Sequence, residues 1–133
     1  LLTVFRLVNN YLDPDGIFIF DFHTLHYYKD ILGESTIAED REDMSFIWDN
    51  YYDTESRIHE FGLSIFVQET DDLYRKYQED HYQRAYSLEE IKELLAQAGL
   101  IFLDAYDELS FGQPNENSTR IHVIARECGK SPA

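Results

Sequence analysis

Residues 12–24 read Leu12-Asp13-Pro14-Asp15-Gly16-Ile17-Phe18-Ile19-Phe20-Asp21-Phe22-His23-Thr24. Asp at the first place, Pro at the second and Gly at the fourth of residues 13–16 predict a type I turn. The turn feeds an unbroken apolar run, Ile17 to Phe20, and a strand is expected over 17–22. Continuous apolar runs mark strands buried on both faces, and sheets of that kind are mostly parallel α/β sheets. In those sheets ligands sit beyond the carboxyl ends of the strands. Asp21, His23 and Thr24 are therefore expected to line a pocket mouth. Residues 1–16 hold no glycine-rich phosphate or nucleoside loop, so the chain is expected to be the back half of a larger α/β protein.

Outward from that stretch, Leu1, Val4, Phe5, Val8 and Leu12 fall at helical spacing and predict an amphipathic helix over 1–12. Residues 24–33 read as a short helix stopped by Gly33. The acidic, polar run 34–43 (ESTIAEDRED) reads as a linker or loop. Three segments rich in aromatic and β-branched residues follow, 44–53, 57–68 and 73–86, separated by DTES and ETDD. They predict an antiparallel three-stranded meander. Phe61, Leu63, Ile65 and Val67 share one strongly apolar face, and the third strand carries charge on both faces, as an exposed strand does.

The clearest helix begins at Ser87. Glu90 three residues on completes a capping-box pattern, and Tyr86 is placed to staple onto Ile91. Leu88, Ile91, Leu94, Leu95 and Ala98 form one apolar stripe, and Gly99 supplies a left-handed stop. A strand over 100–106, a polar loop over 112–119 and a last strand over 120–126 complete the order. Residues 127–133 are expected to fray.

The length of 133 residues fits one domain. Twenty-six acids against eleven bases give a net charge of −15. Nucleic-acid binding needs basic surface to displace counterions, so neither DNA nor RNA is an expected partner, and an anionic membrane is disfavoured for the same reason. The charge reads most simply as a device for solubility. Cys128 is the single cysteine. It excludes a disulfide within the chain and a cysteine-based zinc cluster, and it suits a reducing cytoplasm. No stretch reads as a signal peptide or is apolar for long enough to span a membrane. The start at Leu1-Leu2 suggests a processed chain or a fragment.

The order of these elements resembles the C-terminal half of class I S-adenosylmethionine-dependent methyltransferases, most of all the small bacterial ones with an antiparallel insert after the fifth strand. The residues that carry the resemblance are Leu12-Asp13-Pro14-Asp15-Gly16 before the strand, Tyr86 to Glu90 at the start of the last helix, and Ala98-Gly99-Leu100 at its end. The resemblance covers residues 1–127. It implies an α/β fold: the C-terminal part of a Rossmann-like methyltransferase sheet with the inserted three-stranded meander. Residues 1–33 and 87–127 would form the end of the sheet, 34–86 a substrate lid, and 128–133 a tail. It also implies S-adenosylmethionine as the cofactor of the parent protein and a small molecule as methyl acceptor. The family's glycine-rich loop and ribose-holding acid lie on its first two strands and match no residue here, so this piece alone is expected to be inactive. In the family the fifth strand pairs with the fourth and the seventh. Without the fourth, strand 17–22 would expose an apolar edge, and the chain is expected to self-associate through it.

Methyl transfer mainly requires that the acceptor be held in line with the sulfonium methyl. A base helps only when the acceptor must lose a proton. Asp21 and His23 are the candidates for that role; the alternative is that Asp21 caps the next helix and His23 faces solvent. Thr24, Trp48, His81, Arg84 and Tyr86 are candidate substrate contacts. Trp48, Tyr51, Tyr52, Tyr82 and Tyr86 would build an aromatic wall, facing a cation or simply packing a core. Arg84 would clamp a carboxylate or phosphate or pair with a nearby acid, and His81 would line a pocket or sit on the surface. Asp21, His23 and His26 lack zinc-ligand spacing, and no metal is expected. His59 and His122 read as structural. Two other readings stay open: a non-enzymatic interaction or small-molecule-binding module that uses the aromatic insert, and a structural remnant without a ligand.

Overall fold

The computed structural model describes residues 1–132. The chain is a mixed α/β fold that divides into two compact units, Leu1–His26 with Tyr86–Ala133, and Tyr27–Ala85.

In the first unit, α1 (Leu2–Tyr11) leads through the turn into β1 (Ile17–His23); after the second unit come α2 (Leu88–Gln97), β6 (Leu100–Asp107) and β7 (Arg120–Glu127). The strand order is β1-β7-β6, and both pairings are antiparallel. The expectation of a strand buried on both faces in a parallel sheet is therefore corrected. Phe18, Phe20 and Phe22 pack inward against the core, while Ile17 and Ile19 on the other face are 51% and 64% exposed. The period of two, not burial on both sides, sorts these residues. β1 has β7 on one edge and no strand on the other among the described residues.

The core forms where α1 and α2 cover one face of this sheet. Phe5, Ile91, Leu95, Val123 and Ala125 are almost wholly buried in one cluster. The Phe5 ring lies 6.0 Å from Phe18, edge-on, and 5.1 Å from Phe20. α2 starts as its sequence demands. The Ser87 hydroxyl accepts from Glu90 N, and the Glu90 carboxylate accepts from Ser87 N. It stops at Gly99, whose φ is +83°. The Asn9 amide donates to Ala98 O at 3.0 Å, and a Cβ at Gly99 would meet that amide nitrogen at 3.0 Å.

Two local expectations change. Asp15, the third residue of the turn, has φ +59°, whereas a type I turn keeps it negative. Asp tolerates the left-handed region, and Asp15 N donates to the Glu127 carboxylate at 2.9 Å. Glu127 is 1% exposed and also accepts from Lys130 N at 2.8 Å. The tail thus does not fray from 127. Lys130 Nζ donates to the carbonyls of Asn9, Asn10 and Leu12 at the end of α1, where a cation complements the helix dipole.

The second unit opens with a π-helix, Tyr27–Leu32, in place of an ordinary short helix. Four strands follow in the order β2-β3-β4-β5: β2 (Thr36–Asp40), β3 (Met44–Asp53), β4 (Ile58–Thr70) and β5 (Leu73–Arg84). The meander therefore has four strands, not three. β2 lies in the stretch read as a loop, because an edge strand exposed at all five residues shows no apolar alternation. Its pairing is fixed by the Arg41 N to Met44 O turn bond and by Thr36 Oγ1 donating to Asp49 Oδ1 at 2.6 Å. The compact unit that contains the meander runs Tyr27–Ala85. Tyr28 stacks on His59 at 4.9 Å and donates to Gln83, so the π-helix belongs with the meander.

Candidate functional site

A cleft of about 320 Å³ opens at the carboxyl end of β1, where α2 begins and the β6–β7 connection passes. Phe22, Leu25, Leu88, Pro114 and Ile121 give it apolar walls, and Thr24, His26, Tyr86, Ser87, Asn115, Glu116 and Ser118 complete them. Thr24 is 9% exposed. Its hydroxyl donates to Ser118 O at 2.6 Å, and its N–H donates to Thr119 O at 3.0 Å. Thr24 thus fastens the loop that walls the cleft. Ser118 Oγ accepts from Asn115 N at 3.0 Å. At the other end of that loop, the N–H and hydroxyl of Ser110 donate to the Asp107 carboxylate. Hydrogen bonds from Ser110 N, then from Ser118 and the Ser110 hydroxyl, hold the Asp107 carboxyl below its ordinary range.

The three residues expected at one pocket mouth are divided by the strand period. Thr24 lines the cleft; Asp21 and His23 do not. They share the opposite face of the sheet with β7 residues that the sequence reading did not single out for a site. His122 Nδ1 lies 3.9 Å from Asp21 Oδ2, and Arg120 Nε lies 3.9 Å from Asp21 Oδ1. Arg120 Nη1 pairs with Glu108 at 3.1 Å, and Nη2 approaches His23 Nε2 at 3.5 Å. Asp21 sits inside β1 opposite His122 and caps no helix. A guanidinium only donates, so this contact favours the neutral ring, with Nε2 as acceptor.

Burial first, and the Arg120 charge second, lower the His23 pKa below 6.5. The unfolded chain then binds the extra proton more readily. The stability this histidine contributes is complete above about pH 6.5 and is lost as pH falls through the folded value. Arg120→Gln is expected to move the His23 midpoint upward, read from its ring resonances in an NMR titration. An unchanged midpoint would rule Arg120 out as a cause.

In the second unit the expected aromatic wall divides as well. The register Asn50↔Phe61↔His81 and Tyr52↔His59↔Gln83 sets one face, and Tyr51↔Glu60↔Tyr82 the other. Trp48 and Tyr52 therefore lie on one face, Tyr51 and Tyr82 on the opposite one. Trp48 meets Phe61 edge-on at 6.1 Å, and its Nε1 is buried without a hydrogen-bond partner among the described residues. His81 stacks on Phe61 at 4.7 Å and bonds Glu79 at 3.0 Å. Arg84 is exposed at the end of β5. His59 is structural, as expected: it is 1% exposed, and its Nε2 is 2.8 Å from Asn50 Oδ1. Asn50 was missed. Its signal is phase, since it follows Phe46 and Trp48 at a spacing of two. Among the described residues no three His, Cys, Asp or Glu side chains converge on a metal-holding position.

With the geometry in place, comparison with known proteins points one way. No family model matches the chain. It is 29% identical over 129 residues to the Bacillus subtilis protein named "Putative methyltransferase YqeM", covering 96% of this chain and 51% of that protein. A Geobacillus protein of the same description is 27% identical over 123 residues, covering 92% and 50% respectively. The crystal structure of an S-adenosylmethionine-dependent methyltransferase from Clostridium acetobutylicum superposes with a TM-score of 0.84 at 26% identity, covering 96% of this chain and 51% of that one. The chain is thus similar, in sequence and in fold, to the C-terminal half of these methyltransferases. It spans about half the length of the relatives it matches.

The described residues do not by themselves fit the cofactor of such proteins. No strand of the first unit runs parallel to a neighbour. The connections from β1 to the π-helix and from β5 to α2 contain no glycine, so among the described residues no glycine-rich strand-to-helix turn lets the backbone approach a nucleoside.

Proposed function

We propose that the chain is the C-terminal portion of an S-adenosylmethionine-dependent methyltransferase that acts on a small-molecule acceptor. The first unit supplies the end of the sheet with its cleft, and the second supplies the substrate lid. One observation carries this reading: the likeness runs through 96% of the chain yet stops at 51% of the Clostridium enzyme. The cofactor-holding residues then belong to the other half of the parent protein. Thr24 and Tyr86, which line the cleft, remain its candidates for shaping the acceptor's surroundings, with Trp48, His81 and Arg84 as candidates on the second unit; Asp21 and His23, on the opposite face of the sheet, are candidates for proton transfer only to an acceptor held on that face. The single cysteine supports a reducing, cytoplasmic setting.

The open edge of β1, with exposed Ile17 and Ile19 beside it, further supports self-association of the 133-residue chain by strand pairing. One pair of samples tests both statements: this chain, and a form extended upstream as its gene encodes. S-adenosylmethionine is expected to bind only the extended form in calorimetry, and light scattering is expected to show oligomers only of the short one. Failure of both forms to bind would end the enzyme reading. It would favour the rival, an interaction module built on the apolar face of Met44, Phe46, Leu63 and Ile65. A monomeric short chain at high concentration would end the strand-pairing statement.

A further inference from the structure

We infer that the cleft at the carboxyl end of β1 takes a compact, mostly apolar molecule that carries a basic nitrogen, and that it turns away carboxylates and phosphates. Calling that molecule the methyl acceptor rests on the function proposed above; the chemical class does not.

The walls set the body of the ligand. Phe22, Leu25, Leu88 and Ile121 offer apolar contact in a space of about 320 Å³, enough for a small ring system but not for a polymer.

The charges set its sign. The lining contains Glu116 and His26 but no lysine or arginine. A helix N-terminus would ordinarily invite an anion, and α2 begins on this cleft. Here that position is already filled. The Ser87 hydroxyl accepts from Glu90 N at 3.1 Å, and the Glu90 carboxylate accepts from Ser87 N at 3.2 Å. Glu89 and Glu90 also place two negative charges in the first turn. An incoming anion meets like charge where it would otherwise meet N–H groups. Two of the four lining hydroxyls are engaged too, since Thr24 Oγ1 donates to Ser118 O and Ser87 Oγ donates to Glu90 Oε1. The nearest lysine on the helix, Lys92, is paired with Glu89 at 3.5 Å. A cation encounters the reverse: Glu116 on the rim, and no positive side chain of lysine or arginine to repel it.

The test uses two probes of one shape and opposite charge, 2-phenylethylamine and phenylacetate. Each is titrated into the 133-residue chain at pH 7 and followed by amide chemical shifts. The amine is expected to shift residues 24–26, 86–88 and 115–118 saturably, and to bind about tenfold or more tightly than the carboxylate, as opposite signs of one charge at close range require. Glu116→Gln, a change on an exposed loop that leaves the fold intact, is expected to reduce the preference. Equal or tighter binding of phenylacetate would overturn the inference. So would saturable shifts confined to other residues, or no binding of either probe. None of these outcomes depends on S-adenosylmethionine, so a failure here is distinct from a failure of the methyltransferase reading in calorimetry.

Discussion

Phe5→Ala is expected to destabilise the first unit by about 3–5 kcal/mol, the cost of emptying a buried aromatic site. Phe5 is 1% exposed and is the one residue of α1 that is fully buried. Its ring contacts Phe18 and Phe20, which themselves stack at 4.8 Å. Truncation removes one member of a three-ring cluster from between helix and sheet. The hole is walled by side chains of the same close-packed cluster, which relax only partially, so a cavity contribution adds to the lost transfer energy. A domain has only about 5–15 kcal/mol in hand, so a loss of this size brings the unit near its limit. Urea unfolding followed by far-ultraviolet circular dichroism checks it: the midpoint falls while the slope stays. Leu7→Ala on the same helix is the control. Leu7 is 51% exposed, and its loss is expected to change stability by no more than about 0.5 kcal/mol. Equal effects of the two substitutions would show that α1 does not dock through Phe5.

His59→Ala is expected to cost the second unit about 3 kcal/mol, through the loss of ring contacts and of a buried partner together. The unit has a small core, and its centre is polar. His59 is stacked between Tyr28 at 4.9 Å and Phe61 at 5.6 Å. Its Nε2 meets Asn50 Oδ1, while the Asn50 amide donates to Ser35 O at 3.3 Å. Asn50 thus orients as an acceptor toward the ring, and removing the imidazole leaves that oxygen buried without a donor. Trp48 lies in the same sheet against Phe61, so its fluorescence reports unfolding of this unit. His81→Ala serves as the comparison. His81 also stacks on Phe61, but its side chain is 47% exposed, and its removal is expected to cost less than about 1 kcal/mol. Should His59→Ala unfold no more readily than His81→Ala, the Asn50–His59 pair would not be the centre of the unit.

The residues whose environment the local pattern dictates were legible in the sequence. α2 is marked by Ser87, Glu90 and Gly99, and each performs the task its type suggests. β3, β4 and β5 declare themselves by aromatic and β-branched density. What escaped notice shares a different cause. β2 is polar on both sides, as an exposed edge permits, so composition mimics a loop. Glu127 reads as the first residue of a loose tail, because a carboxylate is rarely buried; only the fold brings Asp15 N and Lys130 N to it. Asp21 and His23 stand out as chemistry-bearing residues, but Arg120 and His122 of β7 and Glu108 in the turn after β6 lie about ninety to a hundred residues later. Cross-strand register is a long-range property that no local window contains. The split between Thr24 and His23 was available from the period of two alone, and the expectation of a single pocket mouth overlooked it.

His26 and Tyr86, the last residue before the second unit and the first after it, line the same cleft. The intervening 27–85 leave and rejoin the sheet at one place. The register of β1, β7 and β6 and the clasp of Lys130 on α1 involve none of those residues. The second unit is thus an exchangeable cassette. Mutation can lengthen, shorten or rewrite it while the first unit keeps its geometry, because the strand ladder that frames the cleft draws no partner from residues 27–85.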